Sequence, residues 1–145
     1  DSWPIYSNTK YQYSVKYPDT WYGQNTGNPQ AETAQFTSFK LSSNGSDDLA
    51  GFKIEIVFQD RQDKILKNWI EANNAAAQTK AGGLTLTKVA AKEGYQQTIT
   101  SPQKSIATYL EKDDKVMIIS YFAPEVDFEK GKTIYNQLLS SLTLM

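Results

Sequence analysis

Four acidic pairs are the residues of this 145-residue chain whose type and spacing first suggest chemistry: Asp47-Asp48, Asp60 with Asp63, Asp113-Asp114, and Glu125 with Asp127. Two carboxylates on opposite sides of a glycosidic bond, in a cleft that separates their pKa values, make an acid and a base or nucleophile. Adjacent carboxylates also offer oxygen ligands to Ca²⁺, but neither Asp47-Asp48 nor Asp113-Asp114 has the spaced alternation of an EF-hand loop. All four pairs fall where the chain reads as a turn or a helix start. There a short acidic side chain has the simpler task of accepting bonds from unpaired backbone N–H groups. Ser101 and Lys104 are a Ser/Lys pair with no surrounding motif. A carboxylate-based hydrolase therefore ranks last among the readings below.

Absent residues exclude more than the present ones suggest. The chain has no His and no Cys. Without His there is no Ser-His-Asp triad, no usual general base near neutral pH and no imidazole metal ligand. Without Cys there are no disulfides, thiol nucleophiles, or Cys-based zinc or iron–sulfur sites. No metal and no cofactor are expected. The net charge is −1, and Arg61 is the only arginine among 15 basic residues. Forked phosphate recognition favours arginine, so nucleic acid is not an expected partner. No apolar run approaches the roughly 18 residues of a membrane span. Membrane attachment is expected only through a signal or anchor upstream of Asp1.

Aromatic residues are the remaining candidates. Trp3, Tyr6, Tyr11, Tyr13, Tyr17, Trp21 and Tyr22 all fall within the first 22 residues. Such a cluster closes a core edge, or it presents a platform to a sugar ring or a peptide. Trp3, Tyr6, Trp21 and Tyr22, with the 23–32 segment beside them, are the candidate binding residues.

The elements that must position these residues can be read from periodicity. Tyr11, Tyr13, Val15 and Tyr17 alternate with polar residues, the period of a half-buried strand. Pro18 ends it, and Trp21 is placed to fold back on its aromatic face. Residues 1–10 read as an arm packed on that strand, and 23–32, with Gly27, Asn28 and Pro29, as loop. A second strand is predicted over 34–42, then a turn over 43–48 that contains the sequon Asn44-Gly45-Ser46. Phe52, Ile54, Ile56 and Phe58 share one face of a strand. A helix follows from a cap at Asp60 or Asp63 to about Thr79, with Ile65, Leu66, Trp69, Ile70 and Asn73 as its stripe. Strands are predicted near 84–90 and 95–100, with Lys92-Glu93-Gly94 as a turn between them. A hairpin of 105–111 with 115–122 follows, whose second arm is apolar on both faces and so central. A last helix is read from Asp127, with Phe128, Gly131, Ile134, Tyr135, Leu138 and Leu139 as its buried stripe. Gly131 marks a close approach to the sheet, and 142–144 returns as a short edge strand.

Several of these segments resemble the PsbP-like domain family. Tyr13-Ser14-Val15-Lys16-Tyr17-Pro18-Asp19-Thr20-Trp21 resembles its opening strand, in which a Y-P-x-x-W run is characteristic. Phe52 to Phe58 with the helix that carries Trp69 is similar to its core strand and long helix. Glu93-Gly94-Tyr95, the 104–122 hairpin and the ending Gln137 to Leu142 continue the likeness over nearly the whole chain. The resemblance implies an α+β fold: an α/β/α sandwich with a central, mainly antiparallel sheet of about six strands and one major helix on each side. It also implies one extracytoplasmic domain over 1–145, in the periplasm, at the cell surface or lipid-anchored. Family members with a known role assist photosystem II; no functional segment of that subgroup matches this chain, so no binding residue is carried over. The expectation is a monomeric, non-catalytic, extracytoplasmic domain that docks on another envelope protein through an apolar or aromatic patch. The alternative is a glycan- or small-ligand-binding module that uses the N-terminal aromatics.

Overall fold

The computed structural model describes residues 2–28, 31–40 and 49–145. The elements run β1 (Ile5–Asn8), β2 (Tyr13–Lys16), β3 (Tyr22–Asn28), β4 (Ala31–Thr37), β5 (Lys53–Asp60), α1 (Leu66–Ala76), β6 (Lys80–Ala81), β7 (Thr85–Val89), β8 (Lys92–Ser101), β9 (Ser105–Lys112), β10 (Lys115–Phe122), α2 (Lys132–Ser141) and β11 (Thr143–Leu144). Among the described residues the strands make two antiparallel sheets. One has eight strands, ordered β3-β4-β5-β10-β9-β8-β6 with β7 also paired to β8; the other has three, ordered β1-β2-β11. The expected single sheet of about six strands is thus larger, and a second sheet joins it.

The β9–β10 hairpin is central because both of its arms are apolar on both faces. Ile106, Leu110, Met117, Ile119 and Tyr121 point into one core, which also holds Tyr135, Leu138 and Leu139 of α2. Ala107, Tyr109, Val116 and Ile118 point into a second core with Leu66, Trp69 and Ile70 of α1. Period-two alternation thus sends successive side chains toward different helices. The three-stranded sheet shares the α2 side: Tyr13 and Val15 of β2 join the first core, with Phe36, Ile54 and Ile56.

Two predicted irregular segments turn out to be strand. The 1–10 arm contains β1, in register with β2 at Tyr6 and Val15. Of the predicted 23–32 loop, residues 23–28 lie in β3 and 31–32 in β4, which pair with each other. β3 carries no alternating apolar residues because it lies at the sheet edge, where backbone pairing to β4 holds it. The predicted 34–42 strand ends at Thr37; Leu41, Ser42 and the 43–48 turn with its sequon lie outside the described residues.

Lys92-Glu93-Gly94 belongs to β8, and the chain reverses instead at Ala90 and Ala91, both with positive φ. Gly94 is there for proximity: a Cβ would collide with the Tyr109 carbonyl and lie 2.7 Å from Leu110 Cδ2.

Neither Asp60 nor Asp63 caps α1. Gln62 and Asp63 sit in left-handed conformations, and the helix starts after Ile65 with no side-chain cap bond. Asp60 Oδ1 instead accepts the Gln62 N–H (2.8 Å). The lone arginine is a clamp here: Arg61 donates to the carbonyls of Lys64 (3.2 Å) and Asp113 (2.8 Å).

The last helix also starts late. Glu125–Asp127 is a 3-10 turn, and Gly131 precedes α2. A Cβ on Gly131 would run into the Tyr121 hydroxyl and lie 2.6 Å from Phe52, the close approach read from the sequence. β11 returns as the expected edge strand and pairs with β2.

Candidate functional site

Of the acidic pairs among the described residues, Asp60 and Asp63 flank Arg61, whose backbone N–H donates to Asp114 O (2.9 Å), so they lie beside Asp113 and Asp114, whereas Glu125 and Asp127 follow the other end of β10. Asp60 lines a hollow of about 500 Å³ beside Trp69 and Asn73, but Asp63 is not part of its wall. Asp113 sits in the β9–β10 turn, 3.5 Å from Lys112 Nζ. Glu125 pairs with Lys104 (3.4 Å) and Asp127 with Lys130 (3.4 Å). Lys104 also lies over the Phe128 ring, so it is engaged away from a role beside Ser101. Asp47 and Asp48 lie outside the described residues. Among the described residues no group of three acidic side chains could hold a metal ion.

The four aromatic candidates do not share one surface role. Tyr6 packs edge-on to Phe36 (5.3 Å between centroids) and against Tyr13 (6.1 Å), as part of a core edge. Trp21 is half-buried and stacks on Phe52, at 6.1 Å and an interplanar angle of 6°. Tyr22 is 49% exposed at the start of β3. Trp3 is half-buried and leaves the others, forming one wall of a cleft against α2.

That cleft has a volume of about 700 Å³ and is lined by Trp3, Thr133, Asn136, Gln137, Ser140 and Thr143, with Lys16 and Ser141. Ser141 Oγ fixes its floor by accepting the Lys16 N–H (2.8 Å) and donating to Leu138 O (2.6 Å). Sequence reasoning followed the buried stripe of α2 and passed over its opposite face. The signal was there: Thr133, Asn136, Gln137 and Ser140 recur at three, four and seven, all uncharged.

A second surface feature is apolar. Ile65, at the N-terminus of α1, and Leu86, on β7, are 64% and 71% exposed. They line one hollow of about 230 Å³ with Tyr95, edged by Lys67, Glu93 and Glu111. Ile65 was expected in the buried stripe of α1. Its extended N-cap conformation takes it off the helical face.

The interior is tightly bonded and electrostatically quiet. Gln96 Nε2 donates to Thr108 Oγ1 (3.0 Å), and the Tyr135 hydroxyl donates to Ile119 O (2.6 Å). The short Thr108–Tyr135 contact (2.6 Å) must therefore run from the threonine hydroxyl to the phenol oxygen. Burial pushes the Tyr135 phenol well above its ordinary pKa, against the lowering effect of Thr108. Burial likewise raises Tyr13 and Tyr109, and lifts Tyr121 to about 12. Each shift keeps a phenol neutral. None creates an acid or base near pH 7, so these buried tyrosines serve the fold.

No protein-family model matches the chain. No curated protein matches it either. Among solved structures, cyanobacterial PsbP from Synechocystis sp. PCC 6803 is similar over 98% of this chain and 92% of its own length, with a TM-score of 0.64 and 16% identity. A protein of unknown function from Pseudomonas aeruginosa, PA94, is similar over 100% of this chain and 99% of its own, with a TM-score of 0.58 and 13% identity. At these identities the likeness is one of fold: the chain has a PsbP-like architecture. No helix among the described residues is long and apolar enough to cross a membrane.

Proposed function

We propose that this PsbP-like domain is a non-catalytic docking module that binds another protein of the cell envelope through an apolar contact. The observation that carries this reading is the meeting of Ile65 and Leu86. They are 21 positions apart in sequence, come from different elements, and stand exposed in one hollow edged by charged side chains. An apolar centre with a polar rim is the anatomy of a protein–protein contact. Tyr22, with Trp21 beside it at the start of β3, is the second proposed contact. Trp3 and Tyr6 contribute less to docking, because Tyr6 packs into the core edge against Tyr13 and Phe36 and Trp3 faces the cleft against α2. The extracytoplasmic location, with any anchor upstream, rests on the resemblance of the Tyr13–Trp21 run to PsbP-like domains. The module is a monomer until it meets its partner.

A pull-down from envelope extract tests the reading, using the intact chain and the exposed-site variants Leu86→Asp and Tyr22→Ala. One protein is expected to be enriched by the intact chain, to persist at high salt because the contact is apolar, and to disappear with Leu86→Asp. Enrichment that survives Leu86→Asp, or no enrichment by the intact chain, counts against it.

A further inference from the structure

We infer that the cleft between Trp3 and α2 is a binding site for a neutral oligosaccharide. Its volume of about 700 Å³ falls within the range of sites that take small molecules. The composition of its wall selects the class of ligand. Trp3 offers part of an aromatic face, which suits the C–H side of a pyranose ring. The α2 wall offers only amides and hydroxyls: Thr133, Asn136, Gln137 and Ser140. A planar amide both donates and accepts, which matches two neighbouring sugar hydroxyls. Among the described residues no carboxylate lines the cleft, so none selects a cation, and the one charged lining residue, Lys16, already has a contact of its own. A greasy ligand is disfavoured by the same polar wall, since its entry strips water from amides that it cannot bond.

The solvent face of α2 is unusual for a helix in this chain. α1 carries Lys67 and Glu71 on its exposed side, whereas the exposed positions of α2 from Thr133 to Ser140 carry no charge. The wall is also pre-organised. Tyr135, Leu138 and Leu139 bury the other side of α2, and Ser141 ties its end to β2. A rigid wall loses little freedom when a ligand binds. Beyond the ridge formed by Asn136 and Ser140 lies a second hollow of about 310 Å³, lined also by Thr87, Lys88 and Gln96. A ligand that crosses this ridge spans more than one ring, which is why the inference is an oligosaccharide. The site is independent of the Ile65–Leu86 contact, which lies on the side of the sheet covered by α1.

The test is an amide chemical-shift titration of the intact chain with three probes: maltotriose, cellotriose and the trisaccharide of N-acetylglucosamine. At least one is expected to move the amides of Thr133, Asn136, Gln137 and Ser140 together with the Trp3 indole. Trp3→Ala is expected to weaken that probe by about tenfold, the loss of one aromatic contact. Asn136→Ala, a change at an exposed helix position that leaves the fold intact, is expected to weaken it as well, while Leu86→Asp leaves it unchanged. The inference is overturned if none of the three probes shifts these residues. It is also overturned if the shifts persist undiminished in Asn136→Ala.

Discussion

At the residue scale, position 131 in the α2 core leaves no room for a Cβ. Its φ of −84° is open to any residue, so glycine is required there by space alone. The space is taken by the Tyr121 hydroxyl, which donates to Phe128 O (2.7 Å), and by the edge of Phe52. Gly131→Ala is expected to cost about 1–3 kcal/mol by overpacking. Combining it with Tyr121→Phe should recover part of that loss, because the clashing oxygen is gone. Denaturant unfolding of the two single variants and the double variant checks this; a strictly additive cycle contradicts it. Trp21 is a graded case. Full burial would make Trp21→Ala cost roughly 3–5 kcal/mol. Half-burial against Phe52 halves the expectation to about 1.5–2.5 kcal/mol, whereas Phe36→Ala, at a fully buried ring, should reach the full range. Equal losses at the two positions in denaturant unfolding would mean that Trp21 is as enclosed as Phe36.

At the scale of elements, α1 is held to the sheet by more than its apolar stripe. Gln97 is buried on β8, and its amide exchanges two bonds with Asn74 (3.1 and 3.2 Å) while donating a third to Tyr109 (2.8 Å). Asn74→Ala leaves the Gln97 carbonyl without its donor, at an expected cost of about 1–3 kcal/mol. Asn74→Ala with Gln97→Leu should cost less than the sum of the singles, as thermal melts of the three variants would show. The elements legible in the sequence were those with a repeating apolar period: β2, β5, the β9–β10 hairpin and the buried stripes of α1 and α2. Those missed were held by other forces. β3 is pinned by its ladder to β4 and has no side-chain period to read. The start of α1 was shifted by two left-handed residues, Gln62 and Asp63, which nothing in their types announces. Lys92-Glu93-Gly94 looked like a turn because glycine there serves proximity to β9, a tertiary cause. The candidate site was legible in type and not in place. The N-terminal aromatics read as one cluster in the sequence, and only the fold separates Trp3, which faces α2, from Tyr6, which enters the core. Ile65 and Leu86 meet through a long-range contact that no local pattern encodes.

At the scale of the whole molecule, both cores contain tyrosines that must stay neutral. Tyr13, Tyr109, Tyr121 and Tyr135 all have pKa values raised by burial, Tyr121 from 10.0 to about 12. Above pH 10 the unfolded chain releases these protons and the folded chain holds them. Unfolding then releases protons, so stability falls as pH rises. The stabilising contribution is complete below pH 10 and is lost between pH 10 and the folded value of about 12 for Tyr121. The fall should reach up to about 1.4 kcal/mol per pH unit for each phenol. Phenolate absorbance should appear together with the loss of structure for these four residues; ionisation of all nine tyrosines in a chain that keeps its melting transition contradicts the account. The same quiet interior leaves function to the surface, and the central claim is that the surface of Ile65 and Leu86 meets a partner. The most direct measurement places a photo-crosslinking amino acid at position 86 in the cell, with a control at Thr98 on the opposite face of β8. Capture of one envelope protein from position 86, absent from position 98 and abolished by Ile65→Asp, is the predicted result. Equal capture from both positions, or none from position 86, would contradict it.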